Sequence, residues 1–148
     1  LFPVVYLATA VIFALIAANL PNTRGLASAA ALLVAVGFLC WLPISIERLQ
    51  LGARAAELLR TYDPAAPPAV MVNFSWVFWA NTLCILAALA LMGTALALAA
   101  VLPTLGWVVM GTAVASAVIG TLFWGDWPPF MSYLIVLVLA IGLMRLPA

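Results

Sequence analysis

Apolar residues run along this chain in five long stretches, separated by three short polar turns and one longer polar segment. A helix needs about 20 predominantly apolar residues to cross a bilayer, and each stretch is near that length or beyond it. The pattern predicts spans over residues 2–20, 26–46, 74–102, 105–124 and 130–146, with a polar loop over 47–72. The breaks are chemically sharp. PNTRG (21–25) combines proline, asparagine and glycine, Pro103-Thr104 makes a second break, and GDWPP (125–129) makes a third. The first run is longer than the apolar region of a signal peptide, and no clear small-residue cleavage pattern follows it, so it is read as a span. The fold class expected is an all-α integral membrane protein, a single bundle of about five transmembrane helices.

The third run is about 30 residues long, which as a helix would reach roughly 45 Å against a hydrocarbon layer of about 30 Å. Its opening NFSWVFW (73–79) carries two tryptophans and two phenylalanines, a composition suited to the interfacial aromatic belt, with Asn73 or Ser75 as a helix cap. In the polar segment, Leu51, Ala55, Leu58, Leu59 and Tyr62 fall on one helical stripe, while Arg48, Arg54, Glu57 and Arg60 lie mostly off it. A short amphipathic helix is expected there, as an extension of span two or lying along the membrane surface. It should stop by Asp63-Pro64, with APPA as an extended linker.

Composition sharpens this picture. Hydrophobic residues make up 69% of the chain and charged residues 6%, against about 45–50% and about 25% in soluble domains. The net charge of +1 leaves no footprint for nucleic acid. Three of the five arginines, Arg48, Arg54 and Arg60, sit in the polar segment, and Arg24 and Arg145 lie across the bundle from it. The positive-inside rule therefore puts residues 47–72 in the cytoplasm, as a multi-pass protein of a bacterial cytoplasmic membrane.

The chemistry available is narrow. The chain has no histidine, which removes the commonest general base and the usual zinc sites. No carboxylate falls in the middle of a span, where proton-coupled transporters place them. No metal or cofactor is expected. Cys40 and Cys84 read as single thiols used in packing. Asp126, in FWGDWPPF (123–130), is bracketed by Trp124 and Trp127. It reads as the cap of the following helix in an interfacial hairpin, or as a group that meets Arg48, Arg54 or Arg60. Neutral polar residues within the spans, Asn81, Thr82, Thr94, Thr112, Ser116 and Thr121, suit hydrogen bonds between helices. Small residues four apart, as in Thr112, Ser116 and Gly120, suit close helix approach and an interface with another membrane protein.

Pro43, in WLPIS (41–45), kinks span two near its cytoplasmic end. With Trp41, Trp76, Trp79, Asn81 and Thr82 it outlines a candidate pocket for a hydrophobic ligand. Five spans in about 150 residues with many tryptophans resemble, in architecture, the tryptophan-rich sensory protein family of porphyrin and sterol binders. The likeness is architectural: that family's tryptophan- and proline-rich motifs do not align with WLPIS, NFSWVFW or GDWPPF.

The leading expectation is a non-catalytic accessory or structural subunit of a larger membrane assembly. Its partners would be membrane lipids and other integral membrane subunits, met through Arg48, Arg54, Arg60, Asp126, Thr112, Ser116 and Gly120. The alternatives are a binder of a lipid, quinone, sterol or pigment; an oligomeric transporter using Asn19, Asn81 and Thr112; and a lipid-modifying enzyme using Asp126 with Arg54 or Arg60.

Overall fold

The structure is a computed structural model that describes residues 2–60, 75–124 and 129–145. Among these residues all regular structure is helical. The α-helices are α1 (Phe2–Ala18), α2 (Arg24–Arg60), α3 (Ser75–Leu98), α4 (Pro103–Ile119) and α5 (Pro129–Met144). A 3-10 turn, Pro21–Thr23, leads into α2, and a π-helical turn, Gly120–Trp124, follows α4. Three of these stretches are long and apolar enough to cross a membrane: Pro21–Ala55, Trp76–Leu98 and Pro103–Leu122. α1 and α5 are apolar but shorter.

The centre of the bundle is α3. Of its most apolar stretch 61% is buried, against 24% for α2 and 28% for α4. α2 and α4 flank it, α1 packs on α2, and α5 lies against α3 and α4. Phe13, Val34, Leu86, Leu89, Met92, Leu96, Val109 and Leu139 fill the core. Large apolar residues also cover the outside, including Leu7, Leu32, Leu39, Val108, Leu122 and Leu137. Apolar surface on this scale is foreign to soluble monomers and suits a lipid solvent.

Prolines set the helix ends. α1 closes as Asn19 Nδ2 donates to the Leu15 carbonyl at 2.8 Å, and Pro21 then opens the next turn, where its missing N–H costs nothing. α3 ends at Leu98, not at residue 102 as the apolar run suggested. Ala100 sits in the left-handed region at φ 56°. The Ala100 N–H bonds the Ala97 carbonyl at 3.1 Å and the Val101 N–H bonds the Leu96 carbonyl at 3.2 Å, which is the Schellman closure. α4 then starts at Pro103 itself.

The hairpin of α3 and α4 is unusually tight at one point. A Cβ on Gly93 would lie 2.6 Å from the Gly106 carbonyl oxygen, and one on Gly106 would lie 2.5 Å from the Gly93 carbonyl oxygen. The hydrogens that stand in those positions point at the opposing carbonyls, the geometry of paired Cα–H···O contacts. Lipid offers no hydrophobic gain for bringing helices together, so such close backbone packing is a main source of association.

α2 takes the first of the two courses expected for the polar segment, an extension of span two. It does not stop near residue 46 but continues unbroken to Arg60, with Pro43 inside it. At 37 residues it is roughly 55 Å long. Beyond Ile46, Arg48, Leu49, Gln50, Gly52, Ala53, Arg54, Ala55 and Glu57 are all exposed, and Leu51 is half-buried. The polar segment thus begins as a continuous, exposed helical arm. Asp63-Pro64, the APPA linker, Asn73 and the Gly125–Pro128 part of FWGDWPPF lie outside the described residues.

Candidate functional site

Each neutral polar residue within the helices raises the same question of where its hydrogen bonds go. The threonines answer it locally. Thr82 donates to the Phe78 carbonyl, Thr94 to Ala90, Thr112 to Val108 and Thr121 to Ala117, each four residues back in its own helix. A hydroxyl one bond from Cβ reaches that carbonyl easily. The threonines do not therefore supply the interhelical bonds that the sequence suggested.

Asn81 is different. It is fully buried, at 0% exposure. Its Nδ2 donates to the Gly37 carbonyl of α2 at 2.7 Å. Its Oδ1 accepts from the Tyr6 hydroxyl of α1 at 2.8 Å. One amide thereby joins three helices. Gly37 makes this possible, since a Cβ there would come within 3.2 Å of Ile85 and 3.4 Å of Cys84 on α3. The amide orientation follows from chemistry, because a backbone carbonyl can only accept, so the NH2 must face Gly37.

Aromatic rings enclose this junction. Tyr6 meets Trp41 at 6.4 Å between centroids and Tyr133 of α5 edge-on at 5.9 Å. Trp41 also meets Phe78 at 6.1 Å. The Arg48 guanidinium lies over the Trp41 ring, 5.7 Å from its centroid, so the cation sits where the arm leaves the bundle.

Of the pocket residues expected from sequence, the structure brings Trp41, Asn81 and Thr82 into one buried region, at 4%, 0% and 1% exposure. Trp79 is half-buried, while Pro43 and Trp76 face outward. Of the expected interface residues, Arg48, Arg54 and Thr112 are exposed, whereas Ser116 and Gly120 are buried against the bundle. Asp126 and the side chain of Arg60 lie outside the described residues. Cys40 and Cys84 are unbridged.

Gly37 was not singled out by sequence, and Phe78 stood only within the aromatic opening NFSWVFW (73–79). A usable signal existed in depth. Tyr6, Asn81 and Tyr133 fall within the first two turns of α1, α3 and α5, which start at the same end of an up-and-down bundle.

Several cavities open between described residues. One of about 330 Å³ lies among Ile12, Asn19, Leu96 and Leu143. A second, about 480 Å³, is a groove between α1 and α2. A third, only about 50 Å³, separates Phe13 from Val136 and Leu139. Trp41, Asn81 and Thr82 line none of the three. Among the described residues no cluster of histidine, cysteine and carboxylate side chains is arranged to hold a metal ion. Comparison with protein-family models, with curated proteins and with solved structures finds no match.

Proposed function

We propose that this chain is a non-catalytic, multi-pass integral membrane protein that serves as an accessory subunit of a larger membrane assembly. In this reading α1 to α5 form a five-span bundle in a bacterial cytoplasmic membrane, and the second half of α2 projects into the cytoplasm. The observation that carries it is the arm. α2 runs past its apolar half as one helix, and Arg48, Leu49, Gln50, Gly52, Ala53, Arg54 and Ala55 are exposed along it. A continuous helix whose Leu49 is 76% exposed is well suited to docking on another subunit, with the aromatic junction around Asn81 at its base. The sparse acid–base chemistry favours a structural role over catalysis. The arginines Arg48 and Arg54 on the arm favour the cytoplasmic side.

The test is native mass spectrometry of the assembly extracted from its own membrane in mild detergent. A protein partner at fixed stoichiometry is expected, and Arg54→Glu should release it while the chain stays in the membrane fraction. A lone monomer or homo-oligomer would overturn this reading.

A binder of a hydrophobic small molecule is the second reading. It is favoured by the cavity of about 330 Å³ beside Asn19, which falls within the size range of small-molecule sites. A molecule of constant mass that co-purifies and is lost on Leu96→Trp would support it.

A further inference from the structure

The groove between α1 and α2 has a chemical polarity that its size alone does not convey. Arg24, Ser28, Ala31 and Ala35 follow one another on one face of α2, and Ala14 and Ala18 of α1 form the opposite wall. Only one end carries a charge. Arg24 is exposed, and among the described residues it has no carboxylate or other hydrogen-bond partner. It is the first residue of α2, directly after the turn that joins the first two helices, which is the headgroup level of any bilayer the two helices cross. From there the walls are apolar and mostly alanine, with Val11 and Leu32 the larger side chains, for about three helical turns, roughly 17 Å.

We propose that this groove holds an anionic phospholipid, with one acyl chain along the alanine-lined trough and the phosphate at Arg24. Charge complementarity selects the headgroup: a lone guanidinium at the boundary of lipid and water favours a phosphate that keeps its negative charge over one neutralised by its own choline. Ser28, one turn into the groove, offers a hydroxyl donor to the same phosphate or to the glycerol ester. Size selects the tail. A helix about 10 Å across occupies roughly 1,300 Å³ over the same length, whereas the groove holds about 480 Å³, room for a slender alkyl chain. The alanine walls explain the trough itself, since larger side chains at Ala14 or Ala31 would fill it. This inference is independent of the subunit reading, because it needs only the folded chain.

The experiment uses the full chain, purified and delipidated in a neutral detergent. It is titrated separately with phosphatidylglycerol and phosphatidylcholine of identical acyl chains, and bound lipid is read by native mass spectrometry. One phosphatidylglycerol per chain is expected, retained about fivefold more tightly than phosphatidylcholine. Arg24→Gln should remove that preference, and Arg24→Lys should keep most of it. Ala14→Phe should weaken both lipids by a similar factor, since it blocks the tail and leaves the charge. Arg24 and Ala14 are exposed, and far-UV circular dichroism checks that each variant folds. Equal retention of the two lipids by the unmodified chain overturns the proposal, as does an unchanged preference in Arg24→Gln. Unchanged binding in Ala14→Phe overturns the groove as the site. A chain dimer that Ala14→Phe disperses, with no lipid bound, assigns the groove to a second copy instead.

Discussion

The hydroxyl of Tyr6 and the amide oxygen of Asn81 are 75 residues apart in sequence and 2.8 Å apart in space. The bond ties α1 to α3, while the other end of the same amide holds α2 through the Gly37 carbonyl. Interhelical hydrogen bonds in membranes average about 0.6 kcal/mol and reach about 1.7. Full burial puts this one toward the upper end, because water cannot replace a lost partner. Tyr6→Phe should therefore cost about 1 kcal/mol, and Asn81→Ala about 2–3 kcal/mol, since it breaks both bonds and opens a cavity. A double-mutant cycle read by reversible unfolding in mixed micelles should return a coupling near 1 kcal/mol. A coupling of zero would show that the bond contributes nothing to the fold.

The two glycines of the α3–α4 hairpin make a sharper prediction. A methyl group on Gly93 meets backbone atoms of α4, which cannot move aside as a side chain can. Gly93→Ala should lower stability by about 2 kcal/mol or more, in the range of overpacking. Gly111, on the same α4, has nothing within 4 Å of its Cβ position. Gly111→Ala should be neutral or slightly stabilising through helix propensity. If the two variants melt alike, the close approach of the helices at Gly93 and Gly106 is wrong.

Ala100 closes α3 in a conformation that favours glycine, at φ 56°. The left-handed region costs a residue with a Cβ about 1 kcal/mol. Ala100→Gly should relieve that strain, less the extra entropy glycine loses on folding, and raise stability by a few tenths to about 1 kcal/mol. A lower melting temperature for this variant would refute the left-handed closure.

Arg48 tests how the arm is anchored. Its guanidinium lies over Trp41, and a cation–π contact at an exposed site contributes about 0.5–1 kcal/mol. Arg48→Gln should cost about that much and alter the emission of the tryptophans. Arg54→Gln, six residues further along the exposed arm, should change stability by no more than a few tenths of a kcal/mol. Equal effects of the two substitutions would mean that Arg48 owes nothing to the ring.

Much of the architecture was legible along the chain, and the reason is local. Backbone groups in lipid must be satisfied within their own segment, so an apolar run of span length has little choice but helix. Pro21 and Pro103 mark where new helices start because a residue without an N–H is tolerated in the first turn. The buried site was only partly legible. Asn81 and Trp41 stood out as a polar residue and a large ring in apolar surroundings, but Thr82, Thr94, Thr112 and Thr121 looked equally able to bridge helices. Only Asn81 does so among these, because a threonine hydroxyl finds an acceptor four residues back, whereas the longer amide of Asn81 extends to the Gly37 carbonyl on α2.

By itself the sequence determined the apolar stretches, the helical class and the positions of the proline-marked turns, since each follows from the chemistry of neighbouring residues. The tertiary structure decided what depends on distance. It set Gly93 against Gly106, gathered Tyr6, Gly37 and Asn81 at one junction, and turned Ser116 and Gly120 inward while Thr112 stayed exposed. Small residues read alike whether they face a neighbour or lipid, and a polar side chain reads alike whichever helix supplies its partner. Only the packing of one helix on another distinguishes these cases.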